Sequence, residues 1–352
     1  MAAAAATGGR AGCLVQVVAI TGPGQVDLVE RPDPAAKDDY VVVKVHTTPM
    51  CTEYKAFREG GVSDRLGHEA TGEVVEVARP GRVQVGDRVA VMPQAGCGRC
   101  RHCLAGEYIH CQHAPDALAA TGNRAGTATY AQYLLKQDWL LVPIPEGIAY
   151  DHAGMACCGL GPTFGAMRRM AVSAPESVLI TGMGPVGQGG VINGTARGAR
   201  VIAVESHPYR ARLARALGAE AVIDPGDPGA LAQIRDLTGG EGADKGLDCS
   251  GTAAGQRLLI DAVRRRGQVA FIGESGDLHL HVSGDLLRKG LTLHGCWHYN
   301  LADTRAVMEL IRRSSERLEA FITHRFPMRR VQEAFALQLT GNSGKVVLHP
   351  WE

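Results

Sequence analysis

Four cysteines lie close together in the chain, separated by glycines and polar residues, at Cys97, Cys100, Cys103 and Cys111. Four thiolates at this spacing can surround one tetrahedral Zn²⁺, and the glycines let the backbone turn tightly enough to aim them. Such a site leaves no position for water, so it braces a loop and does not catalyse. Reduced thiols or an iron–sulfur cluster are the alternatives, but free cysteine prefers burial and this segment is polar. The spacing therefore predicts a structural zinc site.

A glycine-rich turn follows an apolar run farther along the chain and contains Gly182, Gly184, Pro185, Val186 and Gly187. This G-x-G-x-x-G pattern is weak alone, but it gains weight because a predicted strand precedes it and a predicted helix follows. The first glycine permits the tight turn, the second lets a pyrophosphate approach the backbone, and the third lets the helix pack against the sheet. The helix N-terminus offers N–H groups to the phosphates. The turn therefore predicts a dinucleotide site.

The residue that ends the next apolar run indicates which dinucleotide binds. Glu205 stands there, 18 residues after the last glycine of the turn. Its carboxylate can accept hydrogen bonds from both adenosine ribose hydroxyls and would repel a 2′-phosphate, which favours NAD over NADP. His207 and Arg210 leave NADP as the alternative.

Three further segments could supply ligands for a second metal ion. Cys51 comes early in the chain, His68 and Glu69 follow a glycine, and Cys158 follows Cys157 ahead of the glycine-rich turn. Each is weak by itself, because a lone histidine is more often a satisfied polar residue and a buried cysteine more often packs.

Together and in this order, these features resemble the zinc-dependent medium-chain dehydrogenase/reductase superfamily, in its alcohol, sorbitol and threonine dehydrogenase branch. The resemblance covers nearly the whole chain. It implies that Cys51, His68 and Cys158 bind a catalytic zinc, with Cys157 as the competing third ligand. It also implies that Glu69 approaches this zinc and exchanges with water or substrate. Three protein ligands leave a fourth position open, as a Lewis-acid zinc requires.

The residues after the first cysteine depart from the family pattern. Relatives carry Ser or Thr two residues after it, which passes the substrate proton outward, often with Asp next and His at the fifth position. This chain has Glu53, Tyr54 and Ala56 at these positions, and Thr52 one place earlier. We predict that Glu53 is the acid/base or relay group, because a carboxylate in a partly dry pocket beside a cation can be tuned toward neutrality. The alternative is a carboxylate at the surface or behind the metal ligands.

The resemblance also implies which residues surround the cofactor. It identifies Arg210 as a side chain that stacks on adenine. Six residues fall where relatives line the nicotinamide half, with ordinary packing at strand ends as the alternative: Thr163, Cys249, Ile272, Gly273, Cys296 and Trp297.

The elements that must position these groups show two different sequence patterns. Up to about residue 145, short β segments broken by Gly and Pro are typical of a partly open β-barrel, which the resemblance identifies as GroES-like. Six continuous apolar runs then alternate with helical stretches, as in a doubly wound parallel sheet of the Rossmann type. We predict an α/β protein with a catalytic domain at 1–155 and 300–352, a zinc lobe at 95–113, and an NAD-binding domain at 156–299. The six predicted strands are 177–181, 200–205, 221–224, 245–249, 267–272 and 291–294.

Length and composition exclude several other classes. The chain of 352 residues is long enough for two domains, and its net charge of +1 argues against a nucleic-acid partner. No apolar run is as long as a membrane span, and residues 1–12 predict a tail rather than a signal peptide. We therefore expect a cytoplasmic protein whose cysteines are thiols or metal ligands. Relatives form dimers or tetramers through the edge strand of the cofactor domain, so a homo-oligomer is expected.

The expected activity is hydride transfer between a small secondary alcohol, of the polyol, sugar or cyclitol type, and NAD, with one catalytic and one structural zinc per chain. An NADP-dependent carbonyl reductase and a zinc-free reductase of the same superfamily are the enzymatic alternatives. An inactive homologue and a zinc-ribbon interaction protein are the alternatives from other classes.

Overall fold

The computed structural model describes residues 14–123 and 126–352, so the predicted tail at 1–12 lies outside the described residues. The strands are β1 (Leu14–Gly22), β2 (Gln25–Pro32), β3 (Tyr40–Pro49), β4 (Ala70–Glu76), β5 (Arg88–Val91), β6 (Tyr133–Gln137), β7 (Leu141–Pro143), β8 (Ser177–Thr181), β9 (Arg200–Val204), β10 (Ala221–Ile223), β11 (Ala243–Asp248), β12 (Val263–Phe271), β13 (Thr292–Gly295), β14 (Ile322–Pro327) and β15 (Lys345–His349).

The α-helices are α1 (Glu53–Glu59), α2 (Arg101–Leu104), α3 (Ala117–Thr121), α4 (Tyr150–Gly154), α5 (Gly161–Arg169), α6 (Pro185–Ala196), α7 (Pro208–Leu217), α8 (Ala230–Leu237), α9 (Ala253–Ala262), α10 (Thr304–Arg313), α11 (Ser315–Phe321) and α12 (Val331–Thr340). Short 3₁₀ segments lie at Tyr108–His110, Asp138–Leu140, Leu301–Asp303 and Met328–Arg330, and a π-helix at Val282–Arg288. Among the described residues, every helix is too short or too polar to span a bilayer.

The six predicted apolar runs form one parallel sheet in the order β10-β9-β8-β11-β12-β13. This is the doubly wound order in which the chain reverses direction beside the first strand. The central strands have continuous apolar runs because both faces of the sheet are covered. Val178 and Ile180 of β8 pack in the cluster that contains α6 and α7, whereas Leu179 packs with α8 and α9. Strand β12 begins four residues before the predicted start, because Val263 already pairs with β11.

The catalytic sheet has seven strands in the order β14-β15-β3-β4-β5-β7, with β6 paired to β3. Strands β1 and β2 form a separate antiparallel hairpin. The sequence did not predict β14, which pairs in parallel with β15 and so joins the C-terminal segment to the early strands. The strands of the two sheets come from separate stretches of the chain, which gives the expected α/β architecture. The domain boundaries near 155 and 300 stay a prediction.

Candidate metal centres and dinucleotide site

Three separate turns bring the candidate catalytic ligands together. Cys51 lies between the end of β3 and the start of α1, His68 lies just before β4, and Cys158 lies between α4 and α5. The turn before His68 needs glycine, because Gly67 has a φ of +83° and a Cβ there would lie 2.2 Å from Thr129 Oγ1. This close approach holds the histidine loop against the segment that precedes β6.

The donor set and its spacing suit zinc. One ligand atom each from Cys51, His68, Glu69 and Cys158 lies within 4.8 Å of the others, and His68 Nε2 is 3.2 Å from Cys158 Sγ. Tetrahedral zinc with ordinary Zn–S and Zn–N bonds would separate a sulfur and a nitrogen ligand by about 3.6 Å. The competing Cys157 turns away, because its Sγ donates to the Val91 carbonyl oxygen at 3.0 Å.

A buried lysine, which the sequence reasoning missed, faces the cluster. Lys345 Nζ lies 2.6 Å from Glu69 Oε1, and both side chains are 0% exposed. Glu69 Oε2 accepts from the Cys158 N–H at 3.1 Å. Both oxygens of Glu69 are therefore engaged by protein groups. Burial lowers the pKa of Lys345, but the charges of Glu69, Cys51 and Cys158 outweigh it and raise the pKa, so the ammonium stays charged.

Glu53 contacts one of the candidate metal ligands directly. Its Oε1 lies 2.7 Å from His68 Nδ1, and its Oε2 accepts from Tyr130 Oη at 3.0 Å and from the Cys51 N–H at 3.2 Å. Burial raises the pKa of Glu53, but the hydrogen bond and charge of His68 outweigh it, so the pKa lies below its usual value. The carboxylate is thus held behind His68 with a lowered pKa, and its action as an acid/base or relay group stays a prediction. This geometry favours the alternative of a carboxylate that orients the ligand.

The electrostatics of the ligand residues by themselves favour a thiolate next to an imidazolium. The hydrogen bond from Cys158 holds the pKa of Cys51 well below its ordinary value, against the effect of burial. Burial lowers the pKa of His68, but hydrogen bonds to Cys51 and Glu53 outweigh it and raise the pKa to about 11. Zinc binding needs neutral histidine and deprotonated cysteine, so it must release the imidazolium proton.

The four-cysteine cluster also has the spacing of a tetrahedral zinc site. Its sulfur–sulfur separations are 4.0 Å for Cys97–Cys103, 3.6 Å for Cys100–Cys103 and 3.9 Å for Cys100–Cys111. Four sulfurs around zinc at ordinary bond lengths would be about 3.8 Å apart. Backbone N–H groups donate to two of the sulfurs, as at Cys100 N to Cys97 Sγ and His113 N to Cys111 Sγ. The structure thus brings together all four residues that the sequence selected.

A cleft of about 740 Å³ connects the two sets of functional residues. Its lining includes Cys51 together with Gly182, Gly184, Glu205 and Arg210. Glu205 is held at the end of β9, where its carboxylate accepts from the backbone N–H groups of residues 183 and 207 at 2.9 and 2.8 Å. The open space above the turn and this fixed carboxylate fit a dinucleotide. Pro185 and Cys249 also line the cleft.

The third glycine of the turn, Gly187, lets helix α6 pack closely and does not itself line the cleft. Gly187 is buried at the start of α6, and a Cβ there would lie 1.9 Å from the carbonyl oxygen of Gly182. Val186 is half-buried and outside the lining of the cleft.

Five residues expected beside the nicotinamide do not line this cleft. Thr163 is fully buried, donates to the Leu160 carbonyl and accepts from the Asn193 amide. Ile272 packs in the core, and Gly273 is pressed against the Gly251 backbone. Cys296 and Trp297 line a separate cavity of about 220 Å³ beside His110 and Arg169. The place of these five residues beside the nicotinamide therefore stays a prediction.

His298 is a second buried group that the sequence did not single out. Its Nε2 lies 3.9 Å from Cys158 Sγ, and its Nδ1 is buried without a hydrogen-bond partner. Burial, together with the charge of His68, lowers its pKa to about 3, so the ring is neutral. A backbone φ of +66°, rare for a residue with a side chain, holds it there. No spacing rule in the sequence pointed to this position.

Two family models match the chain: the alcohol dehydrogenase GroES-like domain over residues 37–146 and the zinc-binding dehydrogenase over residues 185–313. YphC of Escherichia coli K12, an uncharacterized zinc-type alcohol dehydrogenase-like protein, is 31% identical over 94% of this chain and 97% of its own length. An L-threonine 3-dehydrogenase of Coxiella burnetii is 31% identical over 92% and 96%. A solved structure of a short chain alcohol dehydrogenase, rspB, from E. coli CFT073 with NADH matches with a TM-score of 0.83 at 21% identity, over 96% of this chain and 100% of that one.

Proposed function

The chain belongs to the zinc-dependent medium-chain dehydrogenase/reductase superfamily, and from this premise we propose that it transfers hydride between a secondary alcohol and NAD at a zinc held by Cys51, His68 and Cys158. The general class, a zinc-type alcohol dehydrogenase-like oxidoreductase, follows from the family itself. The cofactor, the substrate and the site residues are the parts proposed here.

One observation carries the proposal. A single cleft is lined by Cys51 of the open metal cluster and by the glycine-rich turn with Glu205. Hydride transfer needs the reacting carbon and the nicotinamide in contact, so a metal ligand and a dinucleotide turn must face one space. A structural cysteine cluster or an unrelated thiol would not require this shared cleft.

The two bound groups supply the chemistry: zinc polarises an alcohol or carbonyl oxygen as a Lewis acid, and the nicotinamide carries the hydride. The residues of the chain supply position and charge. Glu53 fixes the ring of His68 through Nδ1 and leaves Nε2 directed at the cluster. Lys345 neutralises the buried Glu69, so the net charge around the two thiolates stays low. A less negative ligand set leaves more of the metal's positive charge for the substrate oxygen.

We propose NAD as the cofactor, because Glu205 lines the cleft at the end of β9 and its negative charge would repel a 2′-phosphate. The match to a protein that binds NADH supports this choice. Arg210 lines the same region and is the residue that would favour NADP. The ratio of kcat/KM for NAD to that for NADP tests the choice directly, and a ratio below one would refute it.

The proposed substrate is a small secondary alcohol of the polyol, sugar or cyclitol type. An aligned relative is named L-threonine 3-dehydrogenase, and threonine carries a secondary hydroxyl, so L-threonine belongs in the same screen. The test is NADH formation by zinc-loaded protein across polyols, sugars, hydroxy acids and simple alcohols. Activity with NADPH on carbonyl compounds alone would favour the reductase alternative, and no turnover at all would favour an inactive homologue.

A matched pair of variants tests the metal assignment. Cys158→Ser removes a candidate ligand. It should abolish turnover and lower the zinc content by one equivalent per chain. Cys157→Ser alters the neighbouring buried thiol, whose sulfur points to Val91, and should leave the zinc content unchanged. Equal zinc loss in the two variants would contradict the assignment.

We also propose a homodimer or homotetramer of the chain. Strand β13 is at the edge of the six-stranded sheet, where its unpaired backbone groups can pair with a second copy. Light scattering would test this, and a monomer at micromolar concentration would refute it.

A further inference from the structure

A further cavity, distinct from the two described above, lies beside the metal cluster. It has a volume of about 230 Å³, and its lining includes His68, Thr129, Gln94, Tyr40 and Lys136. Because His68 lines this cavity, a ligand group bound here is within the length of one small molecule from the candidate metal site. The cavity is separate from the dinucleotide cleft, and none of the sequence motifs predicted it.

Lys136 is an unusual residue for its position. It lies on β6, two residues after Leu134 and therefore on the same face, where an apolar side chain is expected. Its side chain is buried, and its Nζ donates to the carbonyl oxygen of Gln94. Within residues 14–123 and 126–352 no carboxylate pairs with this ammonium. Burial lowers the pKa of Lys136 to about 8.

A buried lysine without an ionic partner is costly to maintain, since lysine is almost never buried unless paired. The other polar groups of the cavity add hydrogen-bond donors. Tyr40 is only 4% exposed, and its hydroxyl is buried without a hydrogen-bond partner. Asp39 and Asp116 are near enough to raise the pKa of Tyr40 further after the effect of burial, but neither lines the cavity. The phenol therefore stays protonated and can donate.

We propose that this cavity binds an anionic oxygen group, a carboxylate or a phosphate, that the secondary-alcohol substrate carries, and that Lys136 selects for it. This inference rests on the proposed function and narrows its substrate class to hydroxy acids and phosphorylated polyols. The ammonium of Lys136 and the hydroxyl of Tyr40 supply two donors, and no acidic residue lines the cavity to oppose the anion. The anion would give Lys136 the ionic partner that the chain lacks.

Pairs of probes that differ only in the anion test this selection. For the carboxylate arm, the probes are 3-hydroxybutanoate and 1,3-butanediol. For the phosphate arm, they are glycerol 3-phosphate and glycerol. Lys136→Met should lower kcat/KM for the preferred anionic probe about 10- to 100-fold, the value of a charged hydrogen bond, and leave the neutral probe unchanged or better. Lys136→Arg should retain a preference for the anion.

The control is Lys37→Met, which makes the same charge change at an exposed lysine and should behave like the wild type with every probe. A binding measurement that needs no turnover accompanies the kinetics. Calorimetry on zinc-loaded protein should detect butanoate or inorganic phosphate with the wild type and the Lys37 variant, and binding at least 10-fold weaker with Lys136→Met.

The outcomes separate the two proposals. If anions bind through Lys136 but no alcohol is oxidised, the anion site stands, whereas the proposed function and the substrate class drawn from it fail. The inference is overturned if the wild type oxidises alcohols with equal kcat/KM for the anionic and neutral probes of a pair. It is also overturned if Lys136→Met changes kcat/KM equally for both probes. Absence of any anion binding to the wild type also overturns it.

Discussion

Replacing Glu53 by glutamine should weaken zinc binding at the catalytic cluster. The carboxylate accepts from His68 at 2.7 Å and from the Cys51 N–H at 3.2 Å, with Tyr130 as a third donor. Glutamine keeps one acceptor oxygen for His68, but that hydrogen bond loses its charge, a change of about 1 kcal/mol. The new amide group then faces the Cys51 N–H, and an unsatisfied buried donor costs about 1–3 kcal/mol.

The substitution also destabilises the protein without zinc, and that part of the cost does not change the affinity. About 2 kcal/mol should therefore appear as lost zinc affinity. That value corresponds to about 30-fold, within the 10- to 100-fold effect of removing a group that orients a metal ligand. Activity is measured against free zinc in a metal buffer, and the zinc concentration for half-maximal activity is compared between variants. Excess zinc should restore most of the turnover.

The matched control is Glu59→Gln at the end of the same helix, where the carboxylate is exposed beside Arg58. It should leave the zinc dependence unchanged. If Glu53→Gln binds zinc as tightly as the wild type but keeps a low kcat at saturating zinc, the orienting function is wrong. The relay that the sequence suggested would then be the better account.

Three further changes should have measurable effects. Lys345→Met leaves Glu69 buried without its partner and should reduce the free energy of unfolding, measured by denaturant titration, by about 3–5 kcal/mol. The double variant with Glu69→Gln should recover most of this loss, and an unchanged free energy of unfolding in Lys345→Met would contradict the buried pair. Gly187→Ala places a Cβ 1.9 Å from a carbonyl oxygen and should raise the Kd for NADH at least 10-fold while the zinc content stays constant; unchanged NADH binding would refute the packing. Burial raises the pKa of Asp151, but hydrogen bonds hold it below the usual 3.8, so its stabilisation is present above about pH 4 and is lost on acidification. The hydrogen bond to Asp151 raises the pKa of His349 above 6.5, so that stabilisation is present below pH 6.5 and is lost as the pH rises through the raised value. Unfolding free energy should therefore peak between about pH 4 and 6.5, and Asp151→Asn should flatten the profile.

The parallel sheet could be predicted from the sequence because its strands are buried on both faces. The run at residues 177–181 has three apolar residues in succession and no exposed position, and this continuity distinguishes it from the alternating strands of the other sheet. Strand β14 escaped prediction because its residues 322–327 mix apolar and charged side chains at intermediate burial. Only its parallel pairing with β15 makes it a strand.

The metal clusters could be predicted because ligand types and order in the chain carry the information. The choice between Cys157 and Cys158 needed the fold, since the Cys157 thiol contacts the Val91 carbonyl and the Cys158 thiol contacts His68. The contact between Glu53 and His68 also needed the fold, because His68 lies 15 residues away on another loop.

The buried lysines were missed for a common physical reason. Lysine is usually exposed, so Lys136 and Lys345 would be assigned from sequence to the solvent-facing side of their strands. Their burial depends on which face of a strand meets the metal cluster, and that is a property of the tertiary fold. The same limit applies to the residues expected beside the nicotinamide, because position at a strand end does not determine whether a side chain faces the cleft or the core.

Anomalous diffraction at the zinc edge, on crystals of zinc-loaded protein grown with NAD, tests the central claim most directly. The account predicts two peaks per chain. One should lie among Cys97, Cys100, Cys103 and Cys111, and the other should touch only Cys51, His68 and Cys158 among protein side chains, facing the dinucleotide cleft. A single peak in the four-cysteine lobe, or a second ion with a closed shell of four protein ligands, would contradict a catalytic zinc with an open position.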